Sequence, residues 1–87
     1  MRTVILDEMA RAALDEANGY FSRVYDAQAG LEWRLCRRPM DGVARKRGYY
    51  TCKQLGIKSM RIPTITALYI FDDEAVTIKR LVFRAAR

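Results

Sequence analysis

The chain of 87 residues contains no histidine. Without imidazole there is no Ser-His-Asp or Cys-His catalytic pair and no histidine-ligated metal site. Any acid–base chemistry would have to use lysine, tyrosine, aspartate, glutamate or a perturbed cysteine. The absence of histidine therefore excludes the histidine-dependent hydrolase mechanisms.

Cysteine is scarce as well: Cys36 and Cys52 are the two thiols, sixteen positions apart. That separation matches neither a CxxC motif nor a zinc-ligand spacing. A disulfide is not expected in a reducing compartment, so we predict that both are buried as small apolar residues. The one acidic cluster, residues 72–74, lies in a predicted turn with no further ligands nearby. We expect no metal and no cofactor.

Long hydrophobic runs are also absent. No stretch approaches the roughly 18 to 20 apolar residues that a membrane span requires, and Val4–Ile5–Leu6 is too short a run for a signal peptide. Apolar residues nevertheless make up 51% of the chain, which predicts one folded domain over residues 1–87. We expect a cytoplasmic protein without a membrane partner or a small-molecule ligand.

Acidic residues are nearly missing from the middle of the chain. Between residues 34 and 61 the single acid is Asp41, against nine bases: Arg34, Arg37, Arg38, Arg45, Lys46, Arg47, Lys53, Lys58 and Arg61. The net charge is +6. Clustered cations attract phosphate backbones by releasing counterions, although a merely solvated basic surface would have the same composition. Trp33, Tyr49 and Tyr50 lie among the charges and can stack on bases, which favours a nucleic-acid partner.

The first half of the chain has the pattern of one strand and two helices. Residues 2–6 predict a short strand, and Asp7 is a good N-cap for a helix over residues 8–25 that Asn18-Gly19 would kink or end early. A second helix is predicted over residues 27–37. Its inner stripe is Ala27, Leu31 and Leu35, and Pro39 and Gly42 close it.

The second half changes to a period of two, which indicates strands over residues 48–54, 64–71 and 75–83, with a polar hairpin turn at 72–74. In the last strand, strict alternation would place Val76 and Ile78 on one face and Leu81 and Phe83 on the opposite face. Either both faces of this strand are covered or a bulge near Lys79-Arg80 restores the phase. The predicted fold is α+β, in the order β-α-α-β-β-β, with a helical hairpin packed on a small, mostly antiparallel sheet.

Three short motifs accompany this order of elements. They are W-x-L-x-R-x-P from Trp33 to Pro39, A-L-Y-x-x-D-(D/E) from Ala67, and V-x-I from Val76. Together they resemble the RelE/ParE superfamily of toxins from bacterial type II toxin–antitoxin systems. The resemblance implies a toxin that a cognate antitoxin neutralises. RelE-like members enter the ribosomal A site and cleave mRNA without a metal, whereas ParE-like members inhibit DNA gyrase.

In the RelE branch, lysine and arginine on the open sheet face stabilise charge at the scissile phosphate, and a basic side chain or tyrosine transfers protons. The chain departs from that pattern in two places. Ile65-Thr66-Ala67 lacks the arginine expected before Leu68-Tyr69, and no tyrosine or histidine follows the last strand. Arg84 and Arg87 can supply the terminal basic group.

The resemblance and the strand alternation together give a set of candidate site residues. We predict catalytic roles for Lys53, Arg61 and Arg84. RNA contacts are predicted for Arg45, Lys46, Arg47, Tyr49, Lys58, Arg80 and Arg87. Alternation places Tyr49 and Lys53 outward and Tyr50 and Cys52 inward, and it lets Arg80 and Arg84 share a groove with Lys53. Tyr69 is expected to pack in the sheet, and Trp33 falls off the inner helix stripe.

Three functions remain open at this point. The first is an endoribonuclease that inhibits translation by cleaving ribosome-bound mRNA, which we place first. The second is a non-enzymatic inhibitor of gyrase, and the third is a basic nucleic-acid-binding module without toxin activity. For either toxin, the expected antitoxin would use an acidic, disordered segment that folds over the basic surface as a helix or an added strand.

Overall fold

The computed structural model describes residues 1–87. Its first three elements are strand β1 (Thr3–Leu6) and helices α1 (Glu8–Ala17) and α2 (Val24–Arg37). Asp7 caps α1, because its carboxylate accepts the backbone N–H of Ala10 at 3.1 Å. Helix α1 ends at Ala17, eight residues before the predicted limit, since the chain turns at Asn18-Gly19. Helix α2 begins three residues earlier than predicted, with Val24 fully buried. Both helices are too short and too polar to span a lipid bilayer.

The remaining strands are β2 (Val43–Ala44), β3 (Tyr50–Gln54), β4 (Thr64–Phe71) and β5 (Ala75–Arg84). They form one five-stranded sheet in the order β1-β5-β4-β3-β2, in which β1 runs parallel to β5 and every other pair is antiparallel. The α+β class is confirmed, but the predicted element order is wrong by one strand. Two residues are too few to show an alternating pattern, so β2 is defined only by its pairing with β3.

A β-bulge in β5 resolves the phase of the last strand. Leu68 pairs with Arg80, but the next residue, Tyr69, pairs with Ile78, so Lys79 is the extra residue. Val76, Ile78, Leu81 and Phe83 consequently all face the helices. Of the two explanations that the sequence left open, the bulge near Lys79-Arg80 is the one the structure shows, and it leaves Arg80, Val82 and Arg84 on the opposite face.

Both helices pack on one face of the sheet around a single apolar core. Its fully buried members include Val24, Leu31 and Leu35 from α2 and Ile65, Tyr69 and Ile78 from the sheet. The Tyr69 hydroxyl donates to the Pro39 carbonyl at 2.5 Å, which confirms the packing role predicted for this tyrosine. The two cysteines are free and buried as predicted, and burial raises the pKa of the Cys52 thiol. The other face of the sheet is covered by no helix.

Candidate nucleic-acid interface

Cations from two strands lie on this open face of the sheet. Lys53 on β3 pairs with Thr66 on β4, which in turn pairs with Val82 on β5. Arg80 and Arg84 lie two residues to either side of Val82, roughly 7 Å away along the strand, because each residue advances the chain by about 3.3 Å. The register therefore places Lys53, Arg80 and Arg84 on one surface, as the alternation predicts.

No acidic side chain from a strand shares this face. The neighbouring positions carry hydroxyl or aliphatic side chains: Ile5, Thr51, Thr64, Thr66, Leu68, Ile70, Thr77 and Val82. The three ion pairs of the protein are Arg23–Asp26, Arg38–Asp41 and Lys79–Asp7, and none of them involves Lys53, Arg80 or Arg84. The charges of these three cations are therefore unpaired within the molecule.

One end of the open face is concave. Lys53, Arg84 and Arg87 line an open groove of ≈ 810 Å³ there, which we call the first groove; its other lining residues are Leu55, Gly56, Thr64, Ala85 and Ala86. The loop after β3 folds back to form one wall, where the Gly56 N–H donates to Thr64 Oγ1 at 2.9 Å. A side chain at Gly56 would come within 2.7 Å of the Thr64 nitrogen, so only glycine permits this close approach.

Lys58 and Arg61 lie in a different groove. This second groove, of ≈ 520 Å³, is lined by both cations and by Tyr20, Phe21, Ser22, Ile62, Pro63, Ala85 and Ala86. Ala85 and Ala86 line both grooves, so the C-terminal segment separates them. The structure thus brings Lys53 and Arg84 together but brings neither Arg61 nor Arg80 into their groove. Arg80 shares the open face with them but not the groove predicted for it. Tyr20 and Phe21 escaped sequence prediction because their spacing also fitted the apolar face of a longer first helix.

The remaining predicted contacts, residues 45–49, form the connection between β2 and β3. Arg45 lies on the open face, where its Nε donates to Thr51 Oγ1 at 3.0 Å. Lys46 and Arg47 are exposed in a one-turn 3₁₀ helix, Lys46–Gly48, and line neither groove. Tyr49 is half-buried. Alternation puts it on the same side as Lys53, about 13 Å away along β3.

Trp33 lies on the exposed side of α2 rather than among these cations, and 63% of its surface is accessible. The Arg37 guanidinium stacks over the indole with its carbon 4.3 Å from the ring centroid, and it donates to the Trp33 carbonyl at 3.1 Å. This pair is a local helix-surface contact, since neither residue lines a groove.

The acids of the β4–β5 turn lie at the opposite end of the sheet from the first groove. The Asp72 carboxylate accepts the backbone N–H groups of Ala75 and Glu74, both at 2.8 Å, and these hydrogen bonds hold the pKa of Asp72 below its usual value. No group of three or more acidic or cysteine side chains forms a potential metal site. The turn is therefore organised by backbone hydrogen bonds.

The first groove can bind phosphate and stabilise negative charge, since its ionisable side chains are all cationic. Arginine stays protonated in proteins, so the Lys53 amine is the one ionisable side chain of the groove able to transfer a proton. Tyr49, about 13 Å away, is beyond hydrogen-bond reach of a group bound beside Lys53. The groove can therefore hold an anionic group among Lys53, Arg84 and Arg87.

Comparison with models of known protein families, with curated proteins and with solved structures finds no match.

Proposed function

We propose that this protein is the toxin of a bacterial type II toxin–antitoxin module of the RelE/ParE kind, and that it arrests growth in the cytoplasm by cleaving ribosome-bound mRNA. The observation that carries the proposal is the set of unpaired cations, Lys53, Arg80 and Arg84, across an open sheet face without acids. A polyanion is the partner that such a surface attracts. The motifs that resemble the superfamily, around Trp33 and Tyr69, support the same assignment.

In the proposed reaction the scissile phosphate binds in the first groove between Lys53 and Arg84. The ribose 2′-hydroxyl attacks the phosphorus and releases its proton to solvent, while the bond to the 5′ oxygen breaks. Arg84 stabilises the negative charge that develops on the phosphoryl oxygens, and Arg80, about 13 Å away along β5, would contact a neighbouring part of the RNA. Lys53 donates a proton to the departing 5′ oxygen, which leaves a 2′,3′-cyclic phosphate and a 5′-hydroxyl.

The same surface is where we propose that an antitoxin acts. An acidic segment that folds on binding would supply the carboxylates that the open face lacks, and it would cover the exposed aliphatic side chain of Val82. Neutralisation would then consist of occupying the cations needed by RNA.

The test is induction of the chain alone in bacteria, with growth and mRNA 5′ ends followed over time. We expect growth arrest and cuts within codons of translated mRNA. Lys53→Ala and Arg84→Ala should each relieve both effects, because loss of one charge-stabilising group at an active site costs about 10²- to 10³-fold in rate. Arg11→Ala is the matched control, since Arg11 is an exposed arginine of α1 without an ion pair. Normal growth of the wild type would contradict the proposal.

Inhibition of gyrase is the second candidate, and one observation favours it. The first groove contains no tyrosine or carboxylate that could act as a general base, so cleavage would depend on Lys53 alone for proton transfer. Growth arrest with intact mRNA, together with stalled supercoiling by purified gyrase, would support this candidate. RNA binding without growth arrest would instead indicate a nucleic-acid-binding module.

A further inference from the structure

The second groove combines a flat apolar surface with positive charge. Tyr20 is 78% exposed beside Phe21, and Ile62 and Pro63 add to the apolar wall. Lys58 and Arg61 supply the charge. A nucleotide has the matching construction, with a planar base attached to an anionic phosphate, and bases stack readily on aromatic side chains. The volume of ≈ 520 Å³ is typical of small-ligand sites.

The polar groups of this groove are free to bind a ligand. Neither the Tyr20 hydroxyl nor the side chains of Lys58 and Arg61 take part in any hydrogen bond or ion pair of the protein. Two unpaired cations and an exposed tyrosine therefore line the same groove.

The groove is also held in shape. Arg23, itself paired with Asp26 at 2.7 Å, donates to the Met60 carbonyl at 3.3 Å and ties the Lys58–Met60 turn to the start of α2. Ile57 and Ile62 exchange two backbone hydrogen bonds, of 3.0 and 3.1 Å, and close the loop at its base. The cations therefore project from a braced turn.

Arg61 is in the left-handed backbone region, with φ of 57°. A long side chain is uncommon there, whereas glycine would adopt the conformation without strain. Strained non-glycine residues are concentrated at functional sites, where the side chain itself is needed. Arg47, which lines neither groove, has the same conformation, so it is the position of Arg61 beside Tyr20 and Lys58 in the second groove that argues for a ligand.

The two grooves are adjacent. Ala85 and Ala86 line both of them, and only these two small side chains are shared. We infer that the second groove is a nucleotide-binding subsite for single-stranded RNA, which stacks a base on Tyr20 and binds a phosphate with Lys58 and Arg61. The inference rests on the proposed function, because the same RNA strand crosses Ala85-Ala86 with its scissile phosphate in the first groove.

The test is a fluorescence anisotropy titration of the full chain with labelled single-stranded RNA of two, four and eight nucleotides. Tyr20→Ala should weaken binding of the eight-nucleotide RNA by about 5- to 150-fold, the value of one base stacked on an aromatic ring. Arg61→Gly should weaken it at least several-fold and lower its salt dependence, although glycine relieves the backbone strain at this position. Both effects should be smaller for the dinucleotide, because it cannot occupy both grooves and can bind in the first groove when the second is impaired.

Tyr25→Ala is the matched control, because Tyr25 is an exposed tyrosine of α2 that lines neither groove. Thermal unfolding of each variant verifies that the fold is retained. Wild-type RNA affinity in both Tyr20→Ala and Arg61→Gly overturns the inference, and so does failure of the wild type to bind RNA. If those variants keep RNA affinity but lose binding of an acidic antitoxin peptide, the groove belongs to a protein partner.

The outcome also separates this inference from the proposed function. Weaker RNA binding by Tyr20→Ala in a protein that leaves ribosomal mRNA intact supports the subsite and removes the cleavage mechanism. Unchanged RNA binding by Tyr20→Ala in a protein that cuts mRNA through Lys53 retains the mechanism and removes the subsite.

Discussion

Val82 offers a direct way to change the charge of the open face without disturbing the core. Its side chain is 48% exposed, and it lies between Arg80 and Arg84 with Lys53 across Thr66. Val82→Glu would place a carboxylate roughly 7 Å from the strand positions of Arg80 and Arg84. The substitution inserts a negative charge where we propose that RNA phosphates bind.

The expected effect on RNA binding follows from the number of cations. Three cations that each neutralise one phosphate contribute about −2 to the slope of log affinity against log salt, at about −0.7 per contact in single strands. One added carboxylate should reduce the magnitude of that slope by about 0.7. It should also weaken binding at moderate salt on the order of tenfold or more, because a phosphate then faces a like charge.

The expected effect on stability is small. Replacing a β-branched residue in a strand costs up to about 1 kcal/mol. New surface pairs with the flanking arginines return about 0.2 to 1 kcal/mol each. The free energy of unfolding should therefore change by less than about 1 kcal/mol, so weaker RNA binding cannot be attributed to unfolding.

Anisotropy titrations with single-stranded RNA at several salt concentrations measure the RNA affinity and its dependence on salt, and urea denaturation checks the fold. Ile5→Glu is the matched control, because Ile5 is 47% exposed on the same face but lies on β1, opposite Thr77. Its carboxylate would be about 15 Å from Val82, beyond the Debye length of about 8 Å at physiological salt. Equal losses in both variants would refute local convergence of the cations and leave only a net-charge effect.

Three further predictions concern Tyr69, the residue of β4 that is buried in the core between the sheet and the helices. Tyr69→Phe should lower the free energy of unfolding by about 1 to 3 kcal/mol in urea denaturation, because the buried Pro39 carbonyl loses its donor; unchanged stability would mean that water replaces the hydroxyl. Burial raises the pKa of Tyr69 from 10.0 to about 12, so above pH 10 the unfolded chain loses this proton while the folded protein retains it. The free energy of unfolding should therefore fall by about 2 to 3 kcal/mol as the pH rises from about 10 to 12, and Tyr69→Phe should remove most of that decline. Gly42→Ala should destabilise the protein by about 1 to 3 kcal/mol through overpacking, since a Cβ there would lie 2.8 Å from the Thr51 carbonyl and against the Tyr69 hydroxyl; wild-type stability would show that this contact relaxes freely.

The parts of the fold that could be predicted are those with a strong local pattern. Alternating apolar residues define β4 and β5. The phase change between Ile78 and Leu81 indicated either a bulge or a strand covered on both faces, and only the register with β4 decides for the bulge. Strand β2 could not be predicted, because two residues show no period and depend on pairing with β3. The end of α1 was ambiguous, since Tyr20 and Phe21 fit helical spacing and only the turn at Asn18-Gly19 excludes them from the helix.

The candidate site likewise contains residues that the sequence pattern could place and one that it could not. Lys53, Arg80 and Arg84 could be assigned to one face because strand alternation fixes the direction of a side chain. Arg61 could not be placed, since the course of its loop depends on the close approach of Gly56 to the backbone of Thr64 and on the Ile57–Ile62 pairing. Both are tertiary contacts, and no sequence pattern in this loop predicts either of them.

The account depends most on the proposal that cations of the open face act on an mRNA phosphate. Its most direct test is the single-turnover cleavage rate of mRNA on programmed ribosomes, for the wild type and the double variant Lys53→Ala/Arg84→Ala, with the fragment ends identified chemically. We expect fragments that end in a 2′,3′-cyclic phosphate, and a rate at least about 10³-fold lower in the double variant. Intact mRNA with the wild type, or equal rates for both proteins, would contradict the account.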